Sequence, residues 1–117
     1  MNTQEIPRPE WPQFFKQFSA LHGGWRCTIE ILGASLGAQL QSSGLELTGI
    51  DAELTKEPHI TIALGEEPDA HLTHVIDSPE HVWLMQADGG EDEVIEIEGG
   101  EVRTLLRFQA AASMPRS

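Results

Sequence analysis

Residues 10–25 read EWPQFFKQFSALHGGW, and this stretch holds three of the four phenylalanines and two of the three tryptophans of the chain. Trp11, Phe14, Phe15, Phe18 and Leu21 recur at the spacing of one face of a 3.6-residue period, with Gln13, Lys16, Gln17 and Ser19 on the other. That pattern predicts an amphipathic helix beginning near Pro9 or Glu10. Pro12 is tolerated there because the first N–H groups of a helix have no intrahelical acceptor. Gly23 and Gly24 supply the left-handed conformation that ends helices, so the helix is expected to stop at about His22. Burying one large apolar ring is worth about 1.5–3 kcal/mol, so four or five of them rival the net stability of a small domain, about 5–15 kcal/mol. A helix so armed has to be the hydrophobic plug of whatever surrounds it.

What surrounds it reads as β-structure. Residues 25–31 alternate Trp25, Cys27, Ile29 and Ile31 with polar partners, the period of a half-buried strand. A break at residues 33–37 is followed by a short weak strand over 38–41 and a Ser42-Ser43-Gly44 turn. Between residues 45 and 54 the apolar positions change phase across Gly49, from Leu45 and Leu47 to Ile50, Ala52 and Leu54. A glycine at a phase change predicts a bulge where a strand rounds a corner. Ile60, Ile62 and Leu64 continue the alternation, and residues 71–76 and 81–87 give two further strands separated by Pro79. Val82, Trp83, Leu84 and Met85 are apolar on both faces. The segments GEEPDA (65–70) and DGGEDE (88–93) read as solvated loops. In the final hairpin a Gly99-Gly100 turn would place Glu98 opposite Glu101, Ile97 opposite Val102 and Glu96 opposite Arg103, with Ile95, Ile97, Val102, Leu106 and Phe108 on one face.

The expected architecture is α+β and mostly β. One N-terminal helix packs on a strongly curved antiparallel sheet or small barrel of about seven to eight strands. A two-sheet β-sandwich with the helix across one end is the alternative. The 117 residues fit a single domain; residues 1–8 read as a lead-in, with Ile6 as a staple against the first helical turn, and residues 109–117 as a tail.

Seven Lys and Arg against nineteen Asp and Glu give a formal charge of −12. Such a field repels phosphate backbones and anionic lipid, which excludes nucleic acid and membrane as expected partners. No apolar run approaches the roughly 18 residues that cross a bilayer. A lone cysteine, Cys27, and no secretory layout before Glu10 point to a cytoplasmic setting.

The chemistry-bearing residues form no recognised signature. There is no GxSxG, GxxxxGK[ST] or GxGxxG, and DGGEDE lacks the alternating ligands of an EF-hand. His71 and His74 differ by an odd number, so along a strand they point to opposite faces and do not share an ion. No cofactor, metal or catalytic residue is expected. The leading functional expectation is a non-enzymatic interaction or accessory module, binding a protein partner or forming a homo-oligomer through Trp83 and Met85 and the acidic residues Glu66, Glu67 and Asp69. The competing expectation is a small-molecule binder or hydrolase with a pocket built from His59, His71, His74 and His81 and acidic neighbours.

The opening IPRPEWPQFFKQFSALHGGW, Gly37-Ala38 and HLTHVI at residues 71–76 with Pro79 three positions on resemble a family of small bacterial proteins known only as a domain of unknown function. The likeness runs from Ile6 to Phe108. It implies a compact stand-alone cytoplasmic domain and brings no activity or catalytic residue with it. Such proteins commonly place Asp before the helix, where this chain has Pro9.

Overall fold

In the computed structural model the described residues are 2–33, 37–67, 70–86 and 92–109, with the side chains of 2, 37–43, 66, 67, 70 and 92 left aside. One helix, α1 (Trp11–His22), and eight strands are present among them: β1 (Asn2–Glu5), β2 (Arg26–Gly33), β3 (Gly37–Glu53), β4 (His59–Glu67), β5 (Ala70–Asp77), β6 (His81–Gln86), β7 (Asp92–Gly99) and β8 (Val102–Gln109). The strands form one antiparallel sheet in the order β1-β6-β7-β8-β2-β3-β4-β5. The sheet is an open, curled one rather than a closed barrel, with β1 and β5 as its two edges.

A short 3₁₀ turn, Arg8–Glu10, leads into α1. Trp11, Phe15, Phe18 and His22 are its buried residues. At about 100° per residue these four fall within an arc of roughly 60°, whereas Leu21 lies about 80° from Trp11. Leu21 therefore departs from the expected apolar face and is 75% exposed. The plug is fixed at its start by the Trp11 indole, which donates to the Ile6 carbonyl at 2.8 Å, while the Arg8 guanidinium sits 5.1 Å over the ring. At its end Gly24 alone takes positive φ (85°), not Gly23. From there the chain turns straight into pairing with β3: Gly24 N–H donates to the Leu47 carbonyl and Leu47 N–H to the Trp25 carbonyl.

The phase change at Gly49 is a bulge: the β3–β4 register slips between Leu47 and Gly49. Just past it, β3 has α1 where β2 would be, and the Ser19 hydroxyl takes the place of a neighbouring strand. Ile50 N–H donates to the Ser19 Oγ at 2.9 Å, and that hydroxyl donates to the Ile50 carbonyl at 3.3 Å. The helix is thereby latched to the sheet at a point where the ladder is interrupted.

Five local expectations are corrected. Residues 2–5 are an edge strand on β6, with Glu5 opposite Trp83, rather than a lead-in, because the polar NTQE backbone pairs without needing apolar side chains. Ser42-Ser43-Gly44 is not a turn. β3 runs unbroken for 17 residues and absorbs the irregularity as register shifts against β2, with Gly44 at φ 84°. Gly65, Glu66 and Glu67 belong to β4 and Ala70 to β5 instead of a loop, because the β4–β5 ladder continues to Glu67 opposite Ala70. Asp92 and Glu93 likewise belong to β7; residues 68, 69, 88–91 and the tail 110–117 lie outside the described residues.

The last hairpin is shifted. Gly99 pairs with Val102, Glu98 with Arg103 and Ile97 with Thr104, so Gly100 and Glu101 are the connecting residues. Gly100 has φ 64° as the first of them, the position where a II′ turn demands glycine. Gly99 serves differently: a Cβ there would lie 2.9 Å from the Ser78 carbonyl oxygen and 3.1 Å from the Pro79 Cα. Close backbone approach, not turn geometry, reserves that glycine. Since the slip is two positions along β8, every side chain keeps its face, and Ile95, Ile97, Leu106 and Phe108 are buried together as expected.

The concave side of the curled sheet holds the core. Val82, Ile95, Ile97, Leu106 and Ile29 face Ile60, Ile62 and Leu64, with Phe15 and Trp11 inserted from the helix, all nearly solvent-free. Cys27 is part of it, and burial pushes its thiol up to about 12, which keeps it protonated and unreactive.

Candidate functional site

The helical arc that buries Trp11, Phe15 and Phe18 also carries His22, and an ionisable ring inside a core needs partners. It has two. His22 Nδ1 lies 2.9 Å from the Phe18 carbonyl, one helical turn back, and Nε2 lies 2.6 Å from Glu93 Oε2. A carbonyl only accepts, so Nδ1 carries a proton and donates. One further proton is held between Nε2 and Oε2, so the pair is neutral overall whichever atom holds it. Both residues are 7% exposed. Glu93 Oε1 accepts from Gln86 Nε2 at 3.2 Å. The imidazole is clamped by rings as well, stacked on Phe18 with centroids 3.9 Å apart and edge-on to Trp25 at 4.4 Å.

This pair forms the floor of a cleft. Between α1 and β6 lies a cavity of about 380 Å³ lined by Phe14, Gln17, Phe18, Leu21, His22, Leu84, Gln86 and Glu93. A second cavity of about 300 Å³ shares Phe14, Gln17 and Leu84 with it and extends past Gln13 and Glu10 to Gln4 and Ile6. Together they run along one flank of the helix. The opposite flank, latched by Ser19, borders a cavity of about 500 Å³ lined by Lys16, Asp51 and Thr61 among others.

The other side of β6 is different. Val82 is fully buried and Leu84 packs on the core, whereas Trp83 and Met85 point to the convex face and are half-buried. The register aligns Glu5, Trp83, Glu96, Leu105 and Glu30 in one row across the sheet, and Thr3, Met85, Val94, Arg107 and Thr28 in the next. Ion pairs Arg103–Glu96 (3.7 Å) and Arg107–Glu30 (3.6 Å) lie in or beside these rows. Burial, then hydrogen bonding and repulsion from Glu98, raise the Glu96 carboxyl above its ordinary 4.5, against the pull of Arg103. The Trp83 indole N–H is buried with no acceptor among the described residues.

The four later histidines are dispersed. His59 starts β4 and donates from Nδ1 to the Glu57 carbonyl at 2.9 Å. His71 and His74 take opposite faces of β5, as their spacing requires: His71 is exposed, and His74 is half-buried in a cavity of about 310 Å³ with Ile31, Ile76, Asp77 and Thr104. His81 Nδ1 is 2.9 Å from Glu5 Oε2 on the convex side. Each cavity described here holds at most one of the four. Among the described residues no group of three or more His, Cys, Asp or Glu could hold a metal ion, and no helix is long and apolar enough to cross a membrane. Asp69 and the side chains of Glu66 and Glu67 lie outside the described residues.

The histidine that is built into a site, His22, had a legible signal. Its helical angle falls inside the apolar arc that Leu21 leaves. Its partner is 71 residues away in an acidic run with no apolar pattern of its own, so no local signal marks the pair.

Fold and cleft define an α+β protein in which a single helix plugs an open, curled eight-stranded antiparallel sheet. The chain belongs to DUF5335, a family of unknown function, which it matches over residues 2–117. It is similar to an uncharacterised protein of Aquifex aeolicus strain VF5, 26% identical over 117 residues that cover 98% of this chain and 99% of that relative. No solved structure matches the chain.

Proposed function

We propose that the protein is a non-enzymatic interaction module of the cytoplasm that engages a protein partner through the convex face of β6. The observation that carries this reading is the indole N–H of Trp83, which has no acceptor among the described residues and sits among the half-buried apolar residues Met85, Val94 and Leu105 of two adjacent rows. A buried donor without an acceptor destabilises the isolated chain by about 1–3 kcal/mol, and a partner that reorients the ring and accepts from it recovers that amount. Trp and Met are also the residue types enriched at the centres of interfaces. Glu66, Glu67 and Asp69 enter the proposal as a source of negative charge that speeds encounter with a basic partner.

The polar atoms of the buried His22–Glu93 pair support the non-enzymatic side of the reading. Both imidazole nitrogens are engaged within the protein, one with the Phe18 carbonyl and one with Glu93. A general base needs a free nitrogen within reach of a substrate proton.

The test is affinity capture from lysate, run in parallel for the wild type, Trp83→Ala and Met85→Glu, with sedimentation analysis of the purified chain to reveal self-association. A reproducible partner, or a self-associated form, that both substitutions abolish is expected. A monomer that recovers nothing, or a partner indifferent to both substitutions, would dispose of the reading.

A further inference from the structure

We propose that the cleft between α1 and β6 is a binding site for a protonated amine or guanidinium that carries an apolar body. The walls are Phe14, Leu21 and Leu84, apolar and reaching the lip, where Leu21 is 75% exposed although its neighbour on the chain is buried. The floor is made of acceptors. Two carboxylate oxygens offer about four acceptor sites; Glu93 commits one to His22 and one to Gln86, which leaves acceptor capacity on a residue that lines the cavity. His22 has no nitrogen left to donate to an anionic head, and among the described residues the linings of both cavities hold neither Lys nor Arg.

Charge selects the occupant. Glu10 lines the second cavity, and the whole chain carries −12, so a cation is drawn in and an anion repelled. The joint volume suits a small molecule, since such sites run from about 300 to 1,000 Å³. Along the helix from Glu10 to Leu21 the cleft spans about 16 Å. A donor head at Glu93 with a hydrocarbon body along Leu84 and Phe14 satisfies both halves of the lining.

Three probes with one body and different heads test this: n-octylamine, n-octanol and octanoate, each titrated at neutral pH while the methyl resonances of Leu21 and Leu84 are followed. Saturable shifts are expected with octylamine, at least about tenfold weaker binding with octanol, and none with octanoate. Glu93→Gln is expected to weaken octylamine at least about tenfold, and so is Leu21→Arg, which plants a cation on an exposed position and leaves the core untouched. The site is refuted if octylamine gives no saturable shift, if octanoate binds as well, or if either folded variant binds octylamine like the wild type.

Discussion

On β6 two apolar pairs alternate, and they meet opposite surroundings. Val82 and Leu84 turn to the concave side, where α1 and the facing wing of the sheet cover them; Trp83 and Met85 turn to the convex side, half-buried among strand neighbours and ion pairs. The strand's own sequence draws no distinction between them. A single helix can cover only one face of a sheet, and the aromatic arc of α1 decides which one. The concave side is consequently covered, with both imidazole nitrogens of its buried histidine engaged, while the convex side is left with an indole N–H that has no acceptor among the described residues.

That contrast is sharpened first by taking apart the buried pair. His22→Ala leaves the Glu93 carboxylate buried with Gln86 as its sole partner, a loss expected to be about 3–5 kcal/mol. Glu93→Gln is far milder, because a carboxamide can still donate to Nε2 of a neutral imidazole and still accept from Gln86; about 1 kcal/mol or less is expected. Urea unfolding of the two variants checks the asymmetry, and equal losses would contradict the hydrogen-bond assignment. On the convex side Trp83→Phe removes a buried donor that has no acceptor among the described residues, so the monomer should gain up to about 1–3 kcal/mol, less what the smaller ring loses in packing. A large destabilisation in the same assay would show that the indole N–H has an acceptor after all.

The smallest effect is one of pH. The hydrogen bond that His81 donates to Glu5, together with the charges of Glu5, Glu98 and Glu80 and against desolvation, raises His81 above its ordinary 6.5. A raised folded value stabilises the fold below the ordinary one and loses that contribution as pH climbs through the raised one. His74 runs the other way, lowered by burial, so acid that protonates it favours unfolding. The Tm difference between wild type and His81→Gln should thus be greatest below the ordinary value of about 6.5 and fade as pH climbs through the raised one. A difference that grows with pH would reverse the assignment.

Much of this fold was legible in the chain because its signals are local. The aromatic period gives α1, the two-residue alternation gives most strands, and the phase change at Gly49 gives the bulge. What escaped depends on distant neighbours. Gly99 and Gly100 are interchangeable to a reading of the hairpin alone; the Ser78–Pro79 backbone pressing on Gly99 distinguishes them. The strand NTQE carries no apolar residue and exists because β6 offers it an edge. The site is least legible of all: His59, His71, His74 and His81 cluster in sequence and disperse in space, while His22 lies inside the aromatic helix.

The 17-residue β3 gives the molecule a further property. Its first half is bonded to β2 and its second half to β4, so β4 and β5 hang from the remaining strands by this one shared ribbon. Neither wing can melt while the other stays whole unless β3 itself is torn along its length. Amide exchange should therefore slow towards the ribbon's middle, around Leu47 and Ile50, and quicken outward to the free borders at β1 and β5, making the bulge the last part of the sheet to open.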